Sequence, residues 1–160
     1  MGRQRGITFI ELLMVIAIVA ILASAALPLS KMTVVRSKEI ELRSGLRTIR
    51  AAIDAFRKDC VDKKLASDYC KADQGNYPES LEQLIEPLKL AGAVDQVNKY
   101  LRRIPRDPMT PLEGGSKPNN WALRSISDAP DSTMWGGGNV FDVYSKSDAV
   151  GLDGSKYSTW

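Results

Sequence analysis

The chain has no histidine. That removes serine–histidine and cysteine–histidine nucleophile pairs, imidazole proton shuttles and histidine-ligated zinc. Two cysteines are too few for a structural zinc knot. Excess charge is also scarce, with 22 Lys and Arg against 19 Asp and Glu, a balance of +3. A nucleic-acid surface needs several unpaired cations, so no nucleic-acid partner is expected. There is no internal repeat or low-complexity tract, and no glycine motif in the strand-to-helix setting that a nucleotide site requires. No catalytic constellation stands out, and an enzyme is the least expected class. With 44% hydrophobic and 26% charged residues over 160 positions, the chain suits one small domain plus an extension.

What is present is uneven. Residues Ile7 to Leu29 read ITFIELLMVIAIVAILASAALPL, a stretch of 23 residues with one charge, Glu11. At about 1.5 Å per residue, roughly 20 residues cross a hydrocarbon core of about 30 Å. The run is apolar on every side, so it has no polar face with which to lie along an interface. Arg3 and Arg5 precede it and are expected to stay cytoplasmic, which places the chain after Leu29 outside the cytoplasm. A secretory signal peptide is the simpler alternative. Its apolar core is shorter than this one, it lacks an embedded acid, and its small-residue cleavage cue is interrupted here by Pro28 and Leu29. A plain single-pass anchor leaves Glu11 without a role.

A carboxylate in hydrocarbon costs about 2.5–3.5 kcal/mol on insertion scales, so Glu11 needs a partner or a function. A cut after Gly6 would give Ile7 a new α-amino group, four residues from that acid. In a stack of identical helices, the amine of one copy can pair with the acid of another and fix axial register between otherwise featureless apolar helices.

Gly6-Ile7-Thr8-Phe9-Ile10-Glu11, after a short basic leader and before an apolar helix, resembles the signal of type IV pilins and type II secretion pseudopilins. The resemblance implies cleavage between Gly6 and Ile7 by prepilin peptidase, N-methylation of Ile7 and use of Glu11 in subunit docking. Ile7 stands where the family more often has Phe or Met.

After Pro28, which is expected to bend or loosen the helix, the pattern turns amphipathic. Leu42, Leu46, Ile49, Ile53, Phe56 and Cys60 step by four and three, while Arg43, Arg47, Arg50, Asp54, Arg57 and Lys58 fall off the stripe. One helix from Ile10 to Lys63 is predicted, about 80 Å long at 1.5 Å per residue, its second half packed on a globular head. Cys60 and Cys70 are an even pair in an oxidising compartment, which favours a disulfide, with a buried free thiol at Cys60 as the alternative. In the head, a second helix is expected from Ser80 to Leu90, with capping-box spacing from Ser80 to Gln83 and a stop or kink at Pro87. Residues 100–108, with Pro105, Pro108 and Pro111, read as an extended loop, and Arg102, Arg103 and Arg106 in it as a solvated cluster. Trp121–Ile126 and Asn139–Tyr144 read as strands, with Gly136–Gly138 as a loop between them.

Head features resemble the major pseudopilin of the type II secretion system. Tyr77-Pro78 precedes a short helix, and Tyr100-Leu101 precedes Ile104-Pro105-Arg106-Asp107-Pro108; Met109-Thr110 stands where that family continues Trp-Gly. The resemblance implies an α+β, pilin-like fold, with a long N-terminal transmembrane and filament helix running into a small globular head with a short antiparallel sheet. The expected organisation is a cleaved leader (1–6), a transmembrane and filament-core helix (7–29), its amphipathic continuation (30–64) and a periplasmic head (65–160). The resemblance also implies a C-terminal calcium loop, whose carried-over carboxylates are Asp148 and Asp153. Ser145 and Ser147 are further oxygen donors there, Lys146 counts against a cation, and a self-capped Gly-Asp turn is the alternative. The implied function is a structural subunit of a secretion pseudopilus in the bacterial inner membrane, head in the periplasm. Its implied partners are itself, prepilin peptidase, an inner-membrane assembly platform and minor pseudopilins. A type IV pilus subunit for adhesion, motility or DNA uptake, and a tethered envelope module that never polymerises, are the alternatives.

Overall fold

The computed structural model describes residues 6–92, 96–110 and 120–160, with the side chains of Ala25–Leu29 left outside the description. One long helix, α1 (Phe9–Val61), is followed by four short strands: β1 (Leu88–Lys89), β2 (Val97–Asn98), β3 (Ala122–Arg124) and β4 (Asp142–Tyr144). The chain divides into two compact units, Met1–Ser37 and Lys38–Trp160. The amphipathic stretch from Lys38 onward therefore belongs with the head.

Unit one is helix from Phe9, and its described apolar side chains are exposed through Leu22. Among the described residues no helix is long and apolar enough to cross a membrane; the described side chains of the apolar run stop at Ser24. Pro28, where the sequence predicts a bend, lies outside the described side chains, as Arg3 and Arg5 lie outside the described residues.

In unit two the predicted stripe is the core. Leu42, Leu46, Ile49, Ile53, Phe56 and Cys60 are all buried, against Leu81, Leu84, Leu88, Leu101, Trp121, Val140 and Val143 of the head. The period of four and three keeps one face of α1 turned inward, and the off-stripe residues Arg43, Arg47, Asp54, Arg57 and Lys58 are exposed. Phe56 meets the Tyr100 ring edge-on at 5.6 Å, a geometry aromatic pairs favour. Gly45 interrupts the helix with a residue worth about 1 kcal/mol less than Ala there. The reason is contact: a Cβ at Gly45 would lie 3.2 Å from the Trp121 ring. The Trp121 indole N–H, in turn, donates to the Pro105 carbonyl at 2.7 Å.

The end of α1 is tied back by a Cys60–Cys70 disulfide with 5.5 Å between the Cα atoms. Closing so short a loop is worth about 2–3 kcal/mol in the chain-entropy picture. The helix expected from Ser80 to Leu90 is instead one 3-10 turn, Glu82–Ile85, followed by β1. Pro87 is the cause: it holds Glu86 in the extended region, φ −81 and ψ 148, and the chain enters a strand. The capping contact is also displaced, since Gln83 Oε1 accepts from Glu79 N–H at 2.9 Å.

The strands form two separate antiparallel pairs. β1 and β2 pair Leu88 with Asn98 and Lys89 with Val97. β3 and β4 pair Ala122 with Tyr144, Leu123 with Val143 and Arg124 with Asp142, inside the two segments the alternation marks as strands. Residues 100–108 are loop, pinned by Asp107. Its buried carboxylate accepts from Met109 N–H at 2.8 Å, the Thr110 hydroxyl at 2.7 Å and the Ser145 hydroxyl at 2.7 Å, which ties the loop to the residue after β4. No cation appears among these partners; three donors offset the desolvation of the charge.

Candidate functional site

The first candidate site is the start of α1. Gly6, Ile7 and Thr8 precede the helix, and all three are exposed. A Cβ at Gly6 would meet nothing within 4 Å. Packing among the described residues therefore does not demand glycine at this position. Thr8 caps the helix: its Oγ1 accepts from Glu11 N–H at 3.3 Å, and its carbonyl accepts from Leu12 N–H at 3.1 Å. Thr8 and Glu11 thus have capping-box spacing, a signal in the sequence that the expectation of a docking acid passed over. Only half of the box is made. The Glu11 carboxylate has no partner among the described residues, so its only favourable interaction there is with the positive end of the helix. Around it Ile7, Phe9, Ile10, Leu12, Leu13 and Met14 are exposed. Among the described residues, the arrangement is an exposed glycine followed by an acid without a side-chain partner, amid exposed apolar side chains.

The second candidate is the loop expected to hold calcium. Asp153 Oδ2 lies 3.1 Å from the Arg43 guanidinium. Its Oδ1 accepts from both the backbone N–H of Ser155 at 2.9 Å and the Ser155 hydroxyl at 2.6 Å. The Ser155 hydroxyl and N–H, with the Arg43 charge behind them, hold the Asp153 carboxyl below its ordinary range. Asp148 Oδ1 accepts from the Ser158 hydroxyl at 3.1 Å. Ser145 is spent on Asp107, and Ser147 Oγ receives Ala149 N–H at 3.4 Å. Among the described residues no group of three or more acidic or sulfur ligands is positioned for a metal. Calcium takes six to eight oxygens, and here both oxygens of one expected ligand already face protein donors, one of them a cation. The residues as placed do not fit the calcium loop that the resemblance implies.

α1 supplies what holds that loop. Glu39, only 8% exposed, accepts through Oε1 from Leu152 N–H at 2.7 Å and the Tyr157 hydroxyl at 3.0 Å. Burial and that bond to Glu39 push the Tyr157 hydroxyl up to about 12. Arg43 also lies over the Trp160 ring, 4.1 Å from its centroid. Arg50 pairs with Asp142 at 2.7 Å and reaches the main-chain oxygens of Val143 at 3.1 Å and Trp160 at 3.0 Å. Glu39, Arg43 and Arg50 step by four and seven, so they form a polar row beside the apolar stripe. The off-stripe pattern marks Arg43 and Arg50 only as solvent-facing, and nothing local in the sequence announces their partners.

Comparison with known proteins also points to the N-terminal segment. Residues 1–27 match the family model described as the prokaryotic N-terminal methylation motif. The chain is 32% identical over 144 residues to the type II secretion system core protein G of Escherichia coli (strain K12), covering 82% of this chain and 86% of that one. It is 31% identical over 112 residues to the protein of the same name from Pectobacterium carotovorum subsp. carotovorum, covering 66% of this chain and 62% of that one. No solved structure gives a significant match. The chain belongs to the type II secretion system core protein G family.

Proposed function

We propose that this chain is a structural, non-enzymatic subunit of a type II secretion pseudopilus. It is made as a precursor whose Ile7–Leu29 segment spans the inner membrane, with the basic leader cytoplasmic and the head periplasmic. Prepilin peptidase cuts after Gly6, Ile7 is methylated, and an inner-membrane platform with minor pseudopilins draws the helix into a stack of copies. An apolar helix leaves lipid readily only if neighbouring helices replace the lipid, and stacking does that. The new amine of Ile7 in one copy then pairs with Glu11 of another.

The observation that carries this reading is the register at the start of α1: an exposed Gly6, a Thr8 cap, and an acid without a side-chain partner among the described residues. The methylation motif and the two relatives support it, and both relatives bear a secretion-system name, which favours a pseudopilus over a surface pilus. Mass spectrometry of protein extracted from membranes tests it. The expected mass is that of a chain starting at Ile7 with one added methyl group and the Cys60–Cys70 bond intact. A chain still carrying Met1 in cells that contain the peptidase would refute the proposal.

A further inference from the structure

The segment from Asp148 to Trp160 carries two carboxylates and closes through a tight turn, yet its cation is already in the chain. We propose that Arg43, on the same helix row as Glu39 and Arg50, is the resident cation of this loop, and that the loop closes onto α1 without a metal ion.

Both carboxylate oxygens of Asp153 are already engaged. The Arg43 guanidinium takes Asp153 Oδ2, and Ser155 takes Oδ1 twice. The Trp160 indole N–H donates to the same Ser155 hydroxyl at 2.6 Å, so the Trp160 ring that stacks under Arg43 is hydrogen-bonded to the turn that Arg43 neutralises. Tyr157 meets Trp160 edge-on at 5.1 Å and donates to Glu39, which closes the circuit back to the helix. Gly151 lets the loop come this close: a Cβ there would lie 3.0 Å from Glu39 Oε1, 3.1 Å from the Tyr157 ring and 3.2 Å from the Trp160 ring. A calcium ion entering at Asp153 would have to displace a guanidinium and strip both Ser155 bonds. A guanidinium stays charged at any physiological pH and cannot dissociate, so closure by Arg43 makes the loop insensitive to ambient calcium. A half-exposed ion pair alone is weak. The effect of Arg43 therefore comes from the pair and the Trp160 stack together.

The test uses the full-length protein in detergent micelles, with melting followed through the near-ultraviolet signal of the tryptophans, in calcium chloride and in chelator. Wild-type midpoints are expected to coincide. Arg43→Gln is expected to lower the midpoint by about 2–4 °C in both solutions. Asp153→Asn is expected to lower it as well, with the loss in the double variant smaller than the sum of the two single losses. A calcium-dependent rise in the wild-type midpoint, an unchanged midpoint in Arg43→Gln, or additive losses in the double variant would each overturn the proposal. Should a variant fail to fold, calorimetric titration of the wild type with calcium decides: no binding supports the clasp, and stoichiometric binding sinks it. This readout concerns the loop alone and stands whether or not the chain polymerises.

Discussion

Two stretches of the same helix treat their apolar side chains in opposite ways. Between Leu42 and Cys60 the large side chains of the stripe are buried by the head. Between Phe9 and Leu22 they are exposed, Phe9 by 77% and Leu22 by 66%. Exposed apolar surface costs about 25 cal/mol per Å², so the stretch from Phe9 to Leu22 is stable only where something else covers it. The stripe from Leu42 to Cys60 is covered within one copy. The difference divides the chain into a stretch covered by its own head and a stretch whose described apolar side chains find no cover within one copy; under the proposed function, lipid or other copies supply that cover. Variants in the two stretches should therefore fail in different assays.

The largest expected effect is at Glu11. If the acid only completes the helix cap, Glu11→Gln is harmless, because Gln serves as well as Glu in a capping box. If its charge docks the next copy, Glu11→Gln loses assembly as fully as Glu11→Ala. We expect the second outcome: filaments absent by electron microscopy and shear release, with precursor cleavage and the melting of the head both unchanged. Filaments formed by Glu11→Gln would erase the contrast between the two stretches.

Phe56→Ala probes the other side of the comparison. The ring is fully buried and edge-on to Tyr100, so truncation removes transfer energy and leaves a cavity. A loss of about 3–5 kcal/mol is expected in chemical denaturation. Cleavage at Gly6 should continue on the same variant, since the processing segment lies in the other unit.

The parts of the molecule that were legible in the sequence are those written in local period. The four-three spacing from Leu42 to Cys60 announces the buried face, and alternation over Trp121–Ile126 and Asn139–Tyr144 contains β3 and β4. The starting register from Gly6 to Glu11 is likewise local. What was not legible is written across distance. Glu39 finds Leu152 and Tyr157 at separations of 113 and 118 residues, and Arg50 finds Asp142 at 92. No window of sequence contains both ends of such a contact. β1 and β2 are two residues each, too short for alternation to register, and β1 ends a segment that has helical spacing until Pro87 overrides it. The calcium expectation, which rests on resemblance alone, meets a contact of the same long-range kind. Resemblance carries over Asp148 and Asp153 by position, but the guanidinium that occupies Asp153 comes from the helix, 110 residues earlier.

The smallest expected effect lies in the clasp's response to alkali. In the unfolded chain Tyr157 ionises near its ordinary value of about 10. In the folded head, burial and the bond to Glu39 raise it to about 12. A raised value means the folded state holds the proton more tightly. The stabilisation is therefore complete below about pH 10 and is lost as pH climbs from about 10 through about 12. Ionisation in the folded state would set a phenolate against the Glu39 carboxylate, with Asp153 adding its own repulsion. Tyr100 is raised in the same direction by burial and its bond to Asp59, so it contributes a parallel loss elsewhere in the head. Tyr157→Phe separates the two. Near neutral pH it should cost about 0.5–1.5 kcal/mol, because Glu39 keeps its bond from Leu152 N–H. Between about pH 10 and about pH 12 it should lose less stability than the wild type, leaving the decline that belongs to Tyr100. Equal slopes for the two proteins would mean that the Tyr157–Glu39 contact does not tie loop to helix.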